Sequence, residues 1–474
     1  MNQRYQRLSL PAFLVALTLS GCSLAPRYER PEAPIPGQYS GMLAPAQTET
    51  AAADLGWRQF FHDPRLLSLI DLALANNRDL RVAIGRVEEA KAQYGIQQSD
   101  RFPTLGIGGN AQIQRNPENL RTSATSPSVN RYFQAGVGST AFELDFFGRV
   151  RNLSEAAYQQ YLATEEARRT VHIALVAQVA EAYFTLRSAQ EQAALVQKTL
   201  KSRQATYDLV KVRFDNGVAG ALDLNQALGQ LESARADAQA VQRLQAQSEN
   251  ALRLLVGREL PNDLPAPAPF GRDQIMAAIP VGLPSALLER RPDIISAEHA
   301  LKGANANVGA ARAAFFPKIS LTGLLGFASP SLGGLFGGGQ EFWSLQPQLT
   351  MPIFSGGVSG GLDLAKARKN IAVSQYEKTI QTAFREVSDA LAGEQTYSSQ
   401  LDALRAQETA AAKSLELAQL RYENGVDSFL QVQTAEVTLY GAQIQFLQTG
   451  LASLMNRVEL YKALGGGWLA DSAK

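Results

Sequence analysis

Apolar residues recur at helical spacing from residue 77 to 101, and then at every second position from residue 104 to 114. Leu105, Ile107, Ala111 and Ile113 fall on one side of that alternation, and Thr104, Asn110, Gln112 and Gln114 on the other. A period near 3.6 running into a period of 2 predicts a helix that feeds a strand. Phe102-Pro103 marks the change, because proline disfavours helix in the residue before it. The chain then repeats the device. Asp79 corresponds to Asp293, Gly95 to Gly309 and Phe102-Pro103 to Phe316-Pro317, all 214 positions later. In the second copy Ile319, Leu321, Leu325 and Phe327 oppose Lys318, Ser320, Thr322 and Gly326. An internal repeat of this size argues for one composite body built from two similar halves.

Each half continues in the same order. Residues 132–146 predict a second strand, with Phe133, Ala135 and Val137 opposing Gln134, Gly136 and Gly138, after a loop rich in Pro, Ser, Thr and Asn. Residues 343–354 close the matching hairpin around a Gly-rich loop, with Trp343, Leu345, Leu349, Met351 and Ile353 on one face. The hairpins span residues 104–146 and 318–354. Residues 148–214 contain no proline and one glycine, Gly148, and so predict a single helix about 100 Å long at 1.5 Å per residue. Val196, Leu200, Arg203, Tyr207, Val210 and Phe214 step by four and three along it, a coiled-coil seam. Arg203 fits such a seam if its stem lines it and its charged head reaches water. Asn216-Gly217 breaks the helix, which resumes at residue 222 and stops at Gly257. In the second half the long helix is expected over 361–422, the break at Asn424-Gly425 and the return helix over 428–464. The offset is now 208: Arg213 falls on Arg421, Phe214 on Tyr422, Gly217 on Gly425 and Gly257 on Gly465.

The organisation is then a signal segment at 1–21, a tether at 22–54, a first repeat at 55–257, a linker at 258–284, a second repeat at 285–467 and a tail at 468–474. Six prolines and no periodicity mark the linker. Within the first repeat, Asp63-Pro64 forms an N-cap and N1 pair for a short helix. The N-terminus carries Arg4 and Arg7, an apolar run over residues 8–19, and Leu19-Ser20-Gly21-Cys22. That is a signal peptide, too short for a spanning helix. The Leu-Ser-Gly-Cys pattern resembles a bacterial lipobox, which implies acylation of Cys22, the only cysteine among 474 residues. Ser23 after it points to sorting to the outer membrane.

With 45% hydrophobic residues and a net charge of +1, the chain gives no argument for nucleic acid. The histidines His62, His172 and His299 are far apart and lack ligand spacing, so no metal site is expected. The residues 357–361 match a nucleophile-elbow pattern around Ser359, but no histidine follows His299, so Ser359 is read as part of the strand-to-helix transition. No catalytic residue and no cofactor site is expected.

Strands that are apolar on one face and polar on the other fit a transmembrane barrel; a half-buried soluble sheet alternates in the same way, and the lipid-anchor signal favours the membrane. Four strands cannot close a barrel with a lumen, and open edges cannot sit in lipid. Other copies of the chain must complete it: two would supply eight strands, three twelve and a water-filled bore. The long helices are not hydrophobic all round and must extend into the periplasm as coiled coils.

These parts resemble the TolC-type outer-membrane efflux proteins, specifically the lipoprotein channels that serve resistance-nodulation-division drug pumps. The resemblance rests on the lipobox, Leu55-Gly56-Trp57, Phe61-His62-Asp63-Pro64, the run from Phe142 to Gly148, Arg290-Arg291-Pro292-Asp293, the run from Gly309 to Pro317, the run from Tyr461 to Trp468, and the paired Asn-Gly-Val turns. It implies a mainly α chain with four strands, a homotrimer with a twelve-stranded barrel and a periplasmic helical tunnel, and a passive conduit for drugs and other small toxic compounds. It also implies a periplasmic adaptor and an inner-membrane pump as partners. Channels for protein secretion or metal efflux, and a non-conducting trimeric coiled-coil envelope protein, are the alternatives.

The resemblance places adaptor contact at Gly217, Val218, Gly425 and Val426. It places the periplasmic gate at Tyr422 and Asp223, whose counterparts are hydrogen-bonded in the family. The family's arginine partner falls on Asp427, and the aspartate rings of some relatives fall on Gln431 and Thr434, so the fully charged gate is absent. Leu430 is then a candidate apolar plug. Tyr422 also fits as a seam residue equivalent to Phe214.

Overall fold

The computed structural model describes residues 23–39, 52–117, 119, 121, 123, 127–277, 279, 281 and 284–471; Cys22, the signal segment, part of the expected tether and residues 472–474 lie outside them. In chain order the main elements are α1 (Pro64–Asn76), α2 (Arg78–Ser99), β1 (Gly106–Arg115), β2 (Val129–Leu144), α3 (Arg149–Asp215) and α4 (Ala221–Val256). Then follow α5 (Pro284–Arg290), α6 (Pro292–Ala313), β3 (Lys318–Ser329), β4 (Glu341–Thr350), α7 (Gly356–Glu423) and α8 (Phe429–Ala463). The described residues form two compact units, each drawn from both halves of the sequence: one takes residues up to 32, 86–165 and 296–377, the other 33–85, 166–295 and 378 onward.

The first unit holds a four-stranded antiparallel sheet in the order β1-β2-β3-β4. The two hairpins expected from the sequence are joined side by side by β2 and β3, which leaves β1 and β4 as edges. Pro347 lies in β4, where an edge strand tolerates the missing N–H. Ile107 is paired with Val137, Val137 with Leu325, and Leu325 with Trp343, so one apolar row crosses all the strands. These side chains are exposed in the single chain, Ile107 at 90% and Trp343 at 74%. Among the described residues no helix is long and apolar enough to cross a membrane.

Alternation alone would put Phe142 and Leu144 on the polar face, in step with Gln134. The structure places a β-bulge between Ser139 and Phe142: three residues of β2 are spent where β3 spends two, Gly323 to Leu321. The extra residue returns Phe142 to Leu321 and Leu144 to Ile319, on the apolar side. Ala141 takes φ 53°, and its N–H donates to Thr322 Oγ1 at 3.0 Å.

The segment after Cys22 is held along α6. Arg312 donates to Leu24 O, Asn305 to Pro26 O at 2.7 Å, and Lys302 sits over the Tyr28 ring. Tyr28 and Arg30 both donate to Glu298, Arg30 at 2.8 Å. Gly309 admits Ala25, since a Cβ there would lie 2.7 Å from its Cα. Residues 312, 309, 305, 302 and 298 form one stripe of α6 by their helical spacing. The segment runs antiparallel to the helix. Leu24 therefore lies near the end of α6 that leads into β3.

In the second unit the core gathers Trp57, Phe60 and Phe61 with α1, the middle of α3, and Tyr461. Phe60 stacks on Tyr461 at 3.9 Å between centroids, and the Tyr461 hydroxyl donates to Leu55 O. Asp63 caps α1 by accepting from Arg65 N–H at 2.8 Å, and it also accepts from the buried Tyr183 hydroxyl at 2.6 Å. The two halves build the same joint with different residues. Asn77 donates to Leu255 O, and Arg291, 214 positions later, donates to Ala463 O, the carbonyl 208 positions beyond Leu255. Arg291 is buried, so it also needs charge partners, and it pairs with Asp293 and with Glu386 at 2.8 Å.

Three local expectations are corrected. The second long helix begins at Gly356, five residues before the expected start at Gly361, because Ser359 bonds back to Gly356 O and the helix absorbs the glycines. Ser359 is thus helical and not part of a flexible transition. Arg203 does not reach water: it is 5% exposed, donates to Gln230 O at 3.0 Å and faces the Tyr440 ring. A helix carbonyl and an aromatic face stand in for solvent.

Candidate functional site

The two helical hairpins of the second unit end in turns of one design. After α3, Gly217 N–H donates to Phe214 O at 2.9 Å and Val218 N–H to Arg213 O at 2.8 Å. After α7, Gly425 N–H donates to Tyr422 O at 3.0 Å and Val426 N–H to Arg421 O at 2.9 Å. This is the Schellman closure, which needs a left-handed residue. Gly217 and Gly425 supply it with φ +71° and +70°. Asn216 and Asn424 each donate a side-chain N–H to the carbonyl four residues earlier, Val212 O and Leu420 O. The next residues stand out into solvent, Val218 at 73% and Val426 at 61% exposed. A Cβ on either glycine would meet nothing within 4 Å. Both knobs are therefore backed by a rigid cap and open space.

Behind the turns one small apolar cluster joins the hairpins. Val210, Ala227, Phe429 and Val432 are buried in it, and Tyr207, Leu224 and Tyr422 pack against it. Tyr422 meets Phe429 at 5.5 Å between centroids. Phe214, at the position equivalent to Tyr422, is instead exposed. Asp223 is half-buried in the first turn of α4, where the helix N-terminus favours its charge. Among the described residues of one chain, Tyr422 and Asp223 share no hydrogen bond. Leu430 and Gln431 are exposed in the first turn of α8, and Thr434 donates to Leu430 O.

The charged residues of the tips divide differently from the pattern the sequence suggested. Asp427 is bound by Arg421 through two hydrogen bonds of 2.6 and 3.1 Å. The hydrogen bond from Arg421 holds the Asp427 carboxyl below the usual carboxylate range. The position equivalent to Asp427 in the first tip is Ala219, so Arg213 has no such acid. Its guanidinium lies over the Tyr422 ring, 4.9 Å from the centroid. The alignment of Arg213 with Arg421 was visible in the sequence, but their separate partners were not. Among the described residues no cluster of His, Cys, Asp and Glu is arranged for a metal. The histidines have other partners: His62 hydrogen-bonds with Asp273 O, His299 hydrogen-bonds with Gln159, and His172 sits edge-on to Trp468.

The family described as "Outer membrane efflux protein" matches the chain over residues 69–258 and 283–466. The toluene efflux pump outer membrane protein TtgC of Pseudomonas putida is 48% identical, over 100% of this chain and 98% of its own length. The outer membrane protein OprJ of Pseudomonas aeruginosa is 46% identical over 98% of this chain and 97% of its own. Among solved structures, the open state of the MtrE outer membrane channel of Neisseria gonorrhoeae superposes with a TM-score of 0.86 at 40% identity, covering 96% of this chain and 100% of that one.

Proposed function

The chain belongs to the outer membrane efflux protein family, and we propose that it is the outer-membrane conduit of a tripartite drug pump. Three copies close a twelve-stranded barrel through the free edges of β1 and β4. The observation that carries this reading is the apolar row across all the strands, Ile107–Val137–Leu325–Trp343, exposed in one chain and suited to lipid. The long helices wall a periplasmic passage whose floor is the paired tips. A periplasmic adaptor and an inner-membrane pump of the resistance-nodulation-division type open it. Toluene and antibiotics in the names of relatives favour small organic compounds over metal ions or proteins as cargo.

Cys22 is acylated and anchors the chain. The antiparallel seating of residues 24–30 on α6 supports this, since it brings the chain start toward the strands. Gly217, Val218, Gly425 and Val426 receive the adaptor. Asp223, Tyr422, Asp427, Leu430 and Gln431 border the resting closure, with Leu430 as its apolar plug.

The test has two arms. Expressed with a candidate adaptor and pump in a strain lacking its own outer-membrane channel, the protein restores resistance to organic antimicrobials. Purified and placed in planar bilayers, it gives low, discrete conductance, and Leu430→Ser raises it. Absence of both resistance and conductance would refute the conduit.

A further inference from the structure

We infer that the resting tips are latched by the Arg213 guanidinium on the face of the Tyr422 ring, and not by the Tyr422 hydroxyl. The inference rests on the conduit reading and names the residue that keeps the conduit shut. Arg213 ends the hairpin of α3 and α4, and Tyr422 ends that of α7 and α8, so their contact ties one hairpin to the other. The guanidinium carbon stands 4.9 Å from the ring centroid, within range for an attractive cation–π contact. The ring is held by packing against the apolar cluster behind the turns, with Phe429 at 5.5 Å between centroids. The hydroxyl contributes nothing comparable: among the described residues it has no hydrogen bond to Asp223 or to any other side chain.

The internal repeat explains why Arg213 is available. Arg213 and Arg421 occupy the same place in two equivalent turns. In the second turn Asp427 captures Arg421 at 2.6 Å. In the first turn Ala219 stands where that carboxylate would be, and Arg213 is left to cross to the other hairpin. A flat cation stacked on an aromatic face is also a site where lysine is a poor substitute. Because Tyr422 is half-buried and Arg213 half-exposed, the contact can be lost without unfolding either helix.

The latch is tested by resting conductance in planar bilayers, with trimer stability checked on gels. Arg213→Gln should raise the open fraction about 2- to 5-fold per chain, and on the order of 10- to 100-fold where three chains open together. Tyr422→Leu should do the same, Tyr422→Phe should leave conductance at the wild-type level, and Arg213→Lys should fall between. Ala219→Asp recreates the acid of the second turn; it should draw Arg213 away and raise conductance with both latch residues present. A rise with Tyr422→Phe, or none with both Arg213→Gln and Ala219→Asp, overturns the latch. Loss of drug resistance and conductance in the wild type would instead overturn the conduit, so the two failures are distinguishable.

Discussion

Phe142 stands opposite Leu321 because β2 carries one extra residue after Ser139. If the same residues paired without the bulge, the pleat would turn Phe142 and Leu144 to the polar face, since a shift of one residue flips every later side chain. Inserting one residue between Ala141 and Phe142 should therefore turn Phe142 and Leu144 to the bore and Glu143 to lipid, whereas deleting Ala141 removes the bulge and leaves Phe142 opposite Leu321. The expected outcome of the insertion is loss of the trimer from outer-membrane fractions, read by heat-modifiable migration on gels. Normal assembly of the insertion would show that the bulge has no part in orienting the strand.

Replacing Gly217 or Gly425 with a bulky residue should block efflux while the trimer persists. Each glycine sits at positive φ with open space around its Cα, so the substitution costs only about 1–2 kcal/mol of backbone strain. Drug susceptibility and cross-linking to the adaptor measure the loss. If the variants fail to assemble, the turns act as helix caps alone.

Intact-mass measurement should find the mature protein without residues 1–21 and with acyl chains on Cys22. Cys22→Ala should leave the barrel able to assemble, because the strands carry their own apolar face. An unmodified Cys22 in membrane-extracted protein would remove the anchor.

Acid should release the N-terminal segment. Burial opposes the charge of Glu298, but hydrogen bonds from Arg30 and Lys302 outweigh it and hold the carboxyl below its ordinary value. A lowered folded pKa contributes stability above the unfolded value and loses it as pH falls through the folded one. Proteolysis of residues 24–30 should accelerate as pH drops below the carboxylate range. Glu298→Gln should cleave readily even at neutral pH, having lost charge-assisted bonds of about 1.5–3 kcal/mol.

A second acid effect should map to the C-terminal segment. Burial, helped by the charge of Arg168, pushes His172 down to about 4. Its neutral ring lies edge-on to Trp468, which Arg168 and Arg169 also face. The stabilisation is full above about 6.5 and declines as pH falls toward the folded value, by roughly 3 kcal/mol in total. Thermal melts between these limits should show the decline, and His172→Phe should flatten it. An unchanged slope would place the acid sensitivity elsewhere.

Much of this was legible along the chain. The change of period at Phe102-Pro103 and again at Phe316-Pro317 marked the helix-to-strand joints, because proline acts on its immediate neighbour. The Asn-Gly turns and Asp63-Pro64 were equally readable, since caps are made by residues close in sequence. Repetition then fixed the order of elements, and an exposed apolar face pointed to lipid. What the sequence left open depended on contacts between distant residues. The bulge that rescues Phe142 reflects the register of β3, and the seating of residues 24–30 reflects the stripe on α6. Arg203 read as a residue with a solvent-bound head, and Arg213 only as the repeat equivalent of Arg421. Only the tertiary structure set an aromatic ring from the other hairpin against each of them, because a cation finds its partner in space and no periodicity records which partner that is.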